Sequence, residues 1–433
     1  MRFCKRRGGL SADIRHQFVG GRNVLTDAYL VGRQPILNGR EEIMAFELLF
    51  RSPSSLSFAK FENPTQASSR VILNTLSSIG IESLLGCHQG FVNLDRELLM
   101  SDVVELIPPQ AVGLEVLESV AITPDVVERC RELKSRGYVL SLDDHVYDPL
   151  YEPLYNGIVD IVKIDLFCTP LTDLSGIIER FRRYPVKLLA EKVDSRDVFL
   201  RCRSKGFELF QGFFFARPSL IRKQRMAGCI QCFLRLMQQL TDDADTAEIE
   251  ATFRGSPLLV YKLLTLVNSV SFGLHEKIRS IPHALTIIGR HQLKRWVQIA
   301  LFATDGRPES NNPIMYLAVA RAAFMEEFAR TQPCFTGCPP DEAFLTGTLS
   351  VLKDIYDISV DELSRELKLS ENILGALNGT VCPMGTLLKL AMMVERGFLD
   401  EAADFFSDLD IPPASIIECQ KKAFECHSDM MGS

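Results

Sequence analysis

The first half of the chain runs as short apolar blocks, each followed by an acid or an amide. Glu47 follows Ile43-Met44-Ala45-Phe46, Asn93 follows Phe91-Val92, and Glu115 follows Val112-Gly113-Leu114. Asp143 and Asp144 follow Val139-Leu140-Ser141-Leu142, and Asp165 follows Ile161-Val162-Lys163-Ile164. Glu191 then follows Leu188-Leu189-Ala190, and Gln211 follows Leu209-Phe210. Short apolar runs of this kind predict buried strands. Charged stretches at helical spacing lie between them: Pro124 to Arg136, stopped by Gly137, then Leu174 to Tyr184 and Arg196 to Lys205. Strands alternating with helices predict parallel pairing. A (β/α) barrel gathers all its strand ends on one rim, so the expected fold is an α/β TIM-like barrel with one polar mouth. At roughly 190 residues the region is short for such a barrel, typically about 250, which predicts trimmed helices and brief loops.

After Pro218 the pattern changes to helix. Apolar residues recur at helical spacing in Met226 to Leu240, Leu258 to Val270 (opened by Pro257), Ile281 to Ile288 and Leu293 to Phe302. Ile314 to Ala329, Ala343 to Leu352 and Leu387 to Met393 follow. The expected organisation is a disordered basic tail over residues 1–27, a barrel over 28–225 and an all-α domain over 226–433.

Composition narrows the partners. The net charge of −7 argues against a broad nucleic-acid footprint, which needs a basic face. No run of about 18 apolar residues is present, so no membrane span is expected. The basic N-terminus lacks the apolar core of a signal peptide. Twelve cysteines without a disulfide framework fit a reducing, cytoplasmic setting. Cys229 with Cys232, and Cys334 with Cys338, lack the partners that complete a zinc site, and read as plain thiols.

Singly, an acid at a strand end is most simply a cap for the next helix. Acids and amides closing seven runs in series instead assemble an oxygen-rich mouth suited to hard divalent cations. Alternate residues of a strand share a face, so Glu47, Leu49 and Arg51 point together, as do Lys163 and Asp165.

These motifs, from Phe46-Glu47-Leu48-Leu49-Phe50-Arg51 through Val162-Lys163-Ile164-Asp165 to Gln211-Gly212-Phe213, stand in the order of the EAL domain. The first half resembles that domain over about 190 residues; its active members hydrolyse cyclic di-GMP to a linear dinucleotide. The resemblance implies Glu47, Asn93, Glu115 and Asp143 as ligands of one magnesium or manganese ion, with Asp144 bridging to a second. It implies Lys163 and Glu191 as the catalytic pair, Gln211 in the outer shell and Arg51 on the substrate phosphate. Two departures bear on activity. His145-Val146-Tyr147-Asp148-Pro149 replaces a glycine-rich loop that couples metal binding to dimer contacts in active relatives, and Lys192 stands where they have glycine. His145 reads as a surface residue, with a substitute ligand as the alternative. Leu48 is expected to pack behind its strand.

The second half resembles the HDOD domain, most specifically from Ser256 to Ser269 and from Ile278 to Trp296. The related HD phosphohydrolases need several histidines and a His-Asp pair for their metals. No His-Asp dipeptide occurs here, and no histidine lies between His291 and His427. His275, His283 and His291 recur every eight residues, not at the i, i+4 spacing of two ligands on one helix face. This half therefore reads as a binding module, with Trp296 in its core. A barrel joined to HDOD resembles the bacterial EAL–HDOD signalling proteins of the YuxH-like group, which act on motility, surface attachment, biofilm or virulence mostly through protein contacts. The expectation is a cytoplasmic cyclic di-GMP signal transduction protein that works by protein–protein interaction through HDOD. Its phosphodiesterase site would be degenerate, with weak magnesium or manganese binding and residual cyclic di-GMP affinity. The alternative is an active metal-dependent cyclic di-GMP phosphodiesterase regulated by HDOD. Expected partners are other signalling proteins, cyclic di-GMP and a second copy in a homodimer, with no nucleic acid.

Overall fold

The computed structural model describes residues 30–51, 80–169, 172–216, 232–254, 281–300, 311–356, 358–367 and 369–431. The expected basic tail, the expected domain boundary near 225 and the helix at 258–270 lie outside these residues.

Eight strands close a barrel in chain order: β1 (Leu30–Asn38), β2 (Ile43–Arg51), β3 (Gln89–Leu94), β4 (Val112–Val116), β5 (Leu140–Leu142), β6 (Ile161–Asp165), β7 (Lys187–Glu191) and β8 (Leu209–Gln211). From β2 to β8 neighbours pair in parallel. β1 departs from the expected pairing, because it runs antiparallel to both β2 and β8. A tight turn explains its pairing with β2: Asn38 Oδ1 accepts from the amides of Arg40 and Glu42, and an antiparallel pair needs only such a short link.

Two strand boundaries also differ from expectation. β2 continues four residues beyond Glu47, so that acid sits inside a strand rather than at its end. The apolar run at 207–215 is strand only as far as Gln211. Gly212 has φ 138°, and a Cβ there would lie 2.2 Å from the Val193 carbonyl oxygen, so the chain turns away into a 3₁₀ turn at Phe214–Ala216.

The barrel strands are buried on both faces, as parallel strands under helices must be. Leu48, Val92, Leu114 and Val162 are buried in the outer layer. Inside, Ile36, Ala45, Phe91, Ile161 and Leu189 form a separate apolar plug. Ala45, Phe91, Ile161 and Leu189 lie two residues before Glu47, Asn93, Lys163 and Glu191, and so share their face one layer below.

The helical half contains helices at 232–241, Thr246–Arg254, Ile281–Ala300, Pro313–Thr331, Pro340–Tyr356, Val360–Leu367, Glu371–Leu377, Pro383–Glu395, Leu399–Asp408 and Pro413–Met431. Among the described residues it has no strand. The two helices expected at 281–288 and 293–302 form one element broken at Gly289, whose backbone is not helical. Pro313–Thr331 is buried along nearly its whole length. Gly347 permits its close crossing with Pro340–Tyr356, since a Cβ there would lie 2.7 Å from the Ala322 Cα. No helix among the described residues is long and apolar enough to cross a membrane. Trp296 is partly buried and stacks on Phe253.

The two halves dock along β1. β8 pairs with β1 only at Ile36, Leu37 and Asn38, which leaves an open edge nearer its start. Gln420 covers that edge, accepting from the Val31 amide (3.1 Å) and donating to the Val31 carbonyl (2.9 Å). Arg33 is buried with its guanidinium 4.2 to 5.5 Å from the ring centres of Phe46, Tyr316 and Phe424, a cation–π contact spanning both halves.

Candidate functional site

The inward-facing residues of β2, β4 and β6 meet the residues at the ends of β5 and β7 around one ammonium. Lys163 Nζ lies 3.1 Å from Glu47, 3.0 Å from Asp143 and 2.8 Å from Glu191, and it also bonds Glu115. Only 1 % of Lys163 is exposed, so its ammonium faces these four carboxylates rather than solvent. Burial pulls the ammonium toward neutrality, but the carboxylates outweigh it and hold its pKa well above the usual lysine value. Burial pushes Glu115 well above the usual carboxylate range, against the pull of Lys163. It pushes Glu191 up to about 8, again opposed by Lys163. One ammonium cannot neutralise four carboxylates, so the ring carries surplus negative charge.

Amides complete one end of this ring. Asn93 Nδ2 donates to Glu47 Oε1 (3.1 Å), and Gln211 Nε2 donates to Glu47 Oε2 (2.6 Å) and to Gln34 Oε1 (2.9 Å). The carbonyl oxygens Asn93 Oδ1 and Gln211 Oε1 are buried with no hydrogen-bond partner. An unpaired buried acceptor is costly, and these two lie beside surplus negative charge. Oxygen donors around excess negative charge are what a hard divalent cation requires, so the residues present fit such an ion.

The other end is different. Asp143, Asp144 and Glu191 bring carboxylate oxygens within 4.8 Å of one another. Each of the three already faces an ammonium: Lys163 serves Asp143 and Glu191, and Lys192 Nζ stands 3.8 Å from Asp144 and 2.5 Å from Asp165. Burial alone would raise Asp165, but hydrogen bonds from Lys192, the Phe167 amide and Cys168 hold it below the usual carboxylate range. Lys192 has φ 56°, a left-handed backbone uncommon outside glycine.

The structure thus brings Glu47, Asn93, Glu115, Asp143, Asp144, Lys163, Glu191 and Gln211 to one place. Arg51 ends β2, and its side chain lies outside the described residues. His145 is neither a surface residue nor a ligand. It is 8 % exposed, with Nε2 2.5 Å from the Tyr155 hydroxyl and its ring against Tyr151, Tyr155 and Phe181. The aromatic residues that follow the loop draw it inward, and its pKa falls to about 4 through burial. Sequence reasoning missed Gln34. It sits on β1, two residues before the inward-facing Ile36, and that alternation was the available signal.

Comparison with known proteins places both halves of the chain in known families. Residues 75–218 match the EAL domain family model, and residues 229–359 match that of the HDOD domain. The protein YuxH of Bacillus subtilis (strain 168) is 30% identical over 409 residues, covering 92% of this chain and 98% of YuxH. CdgJ of Vibrio cholerae serotype O1, named as a cyclic di-GMP phosphodiesterase, is 30% identical over 403 residues, 90% of this chain and 91% of CdgJ. A solved standalone EAL protein from Vibrio cholerae O395, in its c-di-GMP bound form, is 22% identical. It covers 45% of this chain and 93% of its own, with a TM-score of 0.37. The chain belongs to the family of YuxH and CdgJ, in which an EAL barrel is followed by an HDOD helical domain.

Proposed function

We propose that this is a cytoplasmic cyclic di-GMP signalling protein whose barrel (28–225) binds the dinucleotide beside one tightly held divalent cation and hydrolyses it slowly. Its helical half (226–433) passes the bound state to other signalling proteins, with motility and biofilm formation as outputs. Lys192 is the observation that carries this. Its ammonium lies beside the Asp143–Asp144–Glu191 group and weakens a second cation there by like-charge repulsion.

Glu47, Asn93, Glu115 and Asp143 would hold the tight ion. Magnesium or manganese, when bound, would polarise the phosphodiester. Lys163 offsets the ring's charge, and Gln211 fixes the orientation of Glu47 through its hydrogen bond. Glu191, held at about 8, can exchange a proton with water near neutral pH.

The test is manganese-dependent turnover of cyclic di-GMP by the full chain, Lys192→Gly and Glu47→Ala. Slow turnover, raised at least tenfold by Lys192→Gly and lost in Glu47→Ala, is expected. Fast turnover that Lys192→Gly does not improve would favour a second reading, a working phosphodiesterase regulated by HDOD. The complete carboxylate ring and the similarity to CdgJ support that reading.

A further inference from the structure

The carboxylate ring opens into a cavity of about 870 Å³, the size of a small-ligand site. Both halves line it. Phe167 and Phe213 come from the barrel, and Arg396 and Phe398 from the turn that ends the helix Pro383–Glu395. A chain of hydrogen bonds fixes that turn to the ring. Gln34 Nε2 donates to the Arg396 carbonyl (3.0 Å), Gln34 Oε1 accepts from Gln211, and Gln211 donates to Glu47. Gly397, with φ 79°, lets the turn press onto β1 and β2, since a Cβ there would lie 2.8 Å from both Gln34 Nε2 and Leu49 Cδ1.

The other cations on the cavity wall are engaged. Arg321 makes two bonds to Glu395 (2.8 and 2.7 Å), and Lys192 bonds Asp165. Arg396 is exposed; its backbone is held, the N–H by the Met392 carbonyl (3.1 Å) and the carbonyl by Gln34, while among the described residues no acid pairs with its guanidinium. Phe398 is 51% exposed beside it, an unusual exposure for a phenylalanine on a polar cavity.

Cyclic di-GMP carries two guanines outside its phosphodiester ring. The phosphodiester suits the cation-loving floor. The O6 and N7 edge of guanine is all acceptor, so the carboxylates repel it and a cationic donor must read it. Arginine makes paired hydrogen bonds to that edge, and an aromatic face stacks on any base. Building on the cyclic di-GMP reading above, we propose that Arg396 and Phe398 form a guanine-recognition wall that the helical half contributes to the barrel's site. A ligand bound there touches both halves and therefore tightens their contact, which gives the helical half direct access to the state of the barrel.

Calorimetry tests this with cyclic di-GMP and cyclic di-AMP on the full chain, Arg396→Ala and Phe398→Ala, with manganese affinity measured alongside. Both side chains are exposed, and the Gln34 bond is to backbone, so unchanged thermal midpoints are expected for the variants. Each variant should raise the cyclic di-GMP Kd at least tenfold, about 1.4 kcal/mol. Arg396→Ala should also erode the preference over cyclic di-AMP, while manganese affinity stays the same. Wild-type binding with both variants within twofold would overturn the wall and leave the dinucleotide reading standing. A wild-type chain that binds manganese but not cyclic di-GMP would overturn both.

Discussion

The two ends of the carboxylate ring are built on opposite principles. At the end nearest β1, the neighbours of Glu47 besides Lys163 are amides, two of whose oxygens are buried and unpaired. At the end near β5 and β7, the neighbours of Asp144 and Asp165 include Lys192, and the following loop is packed into an aromatic cluster around His145. Among the described residues the first end has no cation besides the shared Lys163, and it is wired to the helical half. The second carries its own cation in a strained backbone and is wired to the barrel's core. A ring of carboxylates and amides can therefore be complete and still be uneven, because the residues beside it decide how much negative charge is left uncompensated.

The strongest way to break this contrast is to remove the group both ends share. Lys163→Met leaves three buried carboxylates and the half-buried Asp143 without their ammonium, and breaking a buried pair this way costs about 3–5 kcal/mol. The urea midpoint of metal-free protein should fall accordingly, and manganese should restore much of the loss. An unchanged midpoint would mean that Lys163 does not couple the ring.

The closed end has a pH signature. His145 is depressed by burial to about 4, from an ordinary value near ~6.5. Between these values the unfolded chain takes up a proton that the folded chain refuses. The neutral ring's contribution, about 2–3 kcal/mol, is thus complete above pH ~6.5 and lost as pH falls toward 4. Unfolding measured from pH 7 to 4 should show this slope, and His145→Phe should flatten it; an equal slope in the variant would place the titration elsewhere.

The open end can be cut from the helical half with a smaller effect. Gln34→Leu removes the bonds to the Arg396 carbonyl and to Gln211. A loss of about 1–2 kcal/mol is expected, read as a lower thermal midpoint with earlier proteolysis between the halves. Wild-type stability in this variant would show that the relay carries no coupling.

Much of this was legible before any coordinates. Alternating strands and helices gave the parallel part of the barrel, and the serial acids and amides gave the ring. Period-two alternation told which residues face inward, but it cannot show what a neighbouring strand places opposite. That is why Lys192 could be suspected near the acids while its partner Asp165 could not. β1 was missed although Asn38 closes its Ile36-Leu37 run, because Gly32, Arg33, Gln34 and Pro35 break the apolar pattern before it, so Gln34 stayed invisible although it joins the ring to the helical half. His145 was misplaced because its burial depends on Tyr151, Tyr155 and Phe181, which come from later turns and helices. The docking of the halves rests on side chains such as Arg33 and Gln420 that no local pattern marks.

The central claim is that the ring is uneven, with one strong cation site and a second weakened by Lys192. Counting bound manganese per chain by equilibrium titration tests it directly, on the wild type and on Lys192→Gly, which also relieves the left-handed backbone at that position. The account predicts one tightly bound ion in the wild type and two in the variant. Two equally tight ions in the wild type, or none in either protein, would contradict it.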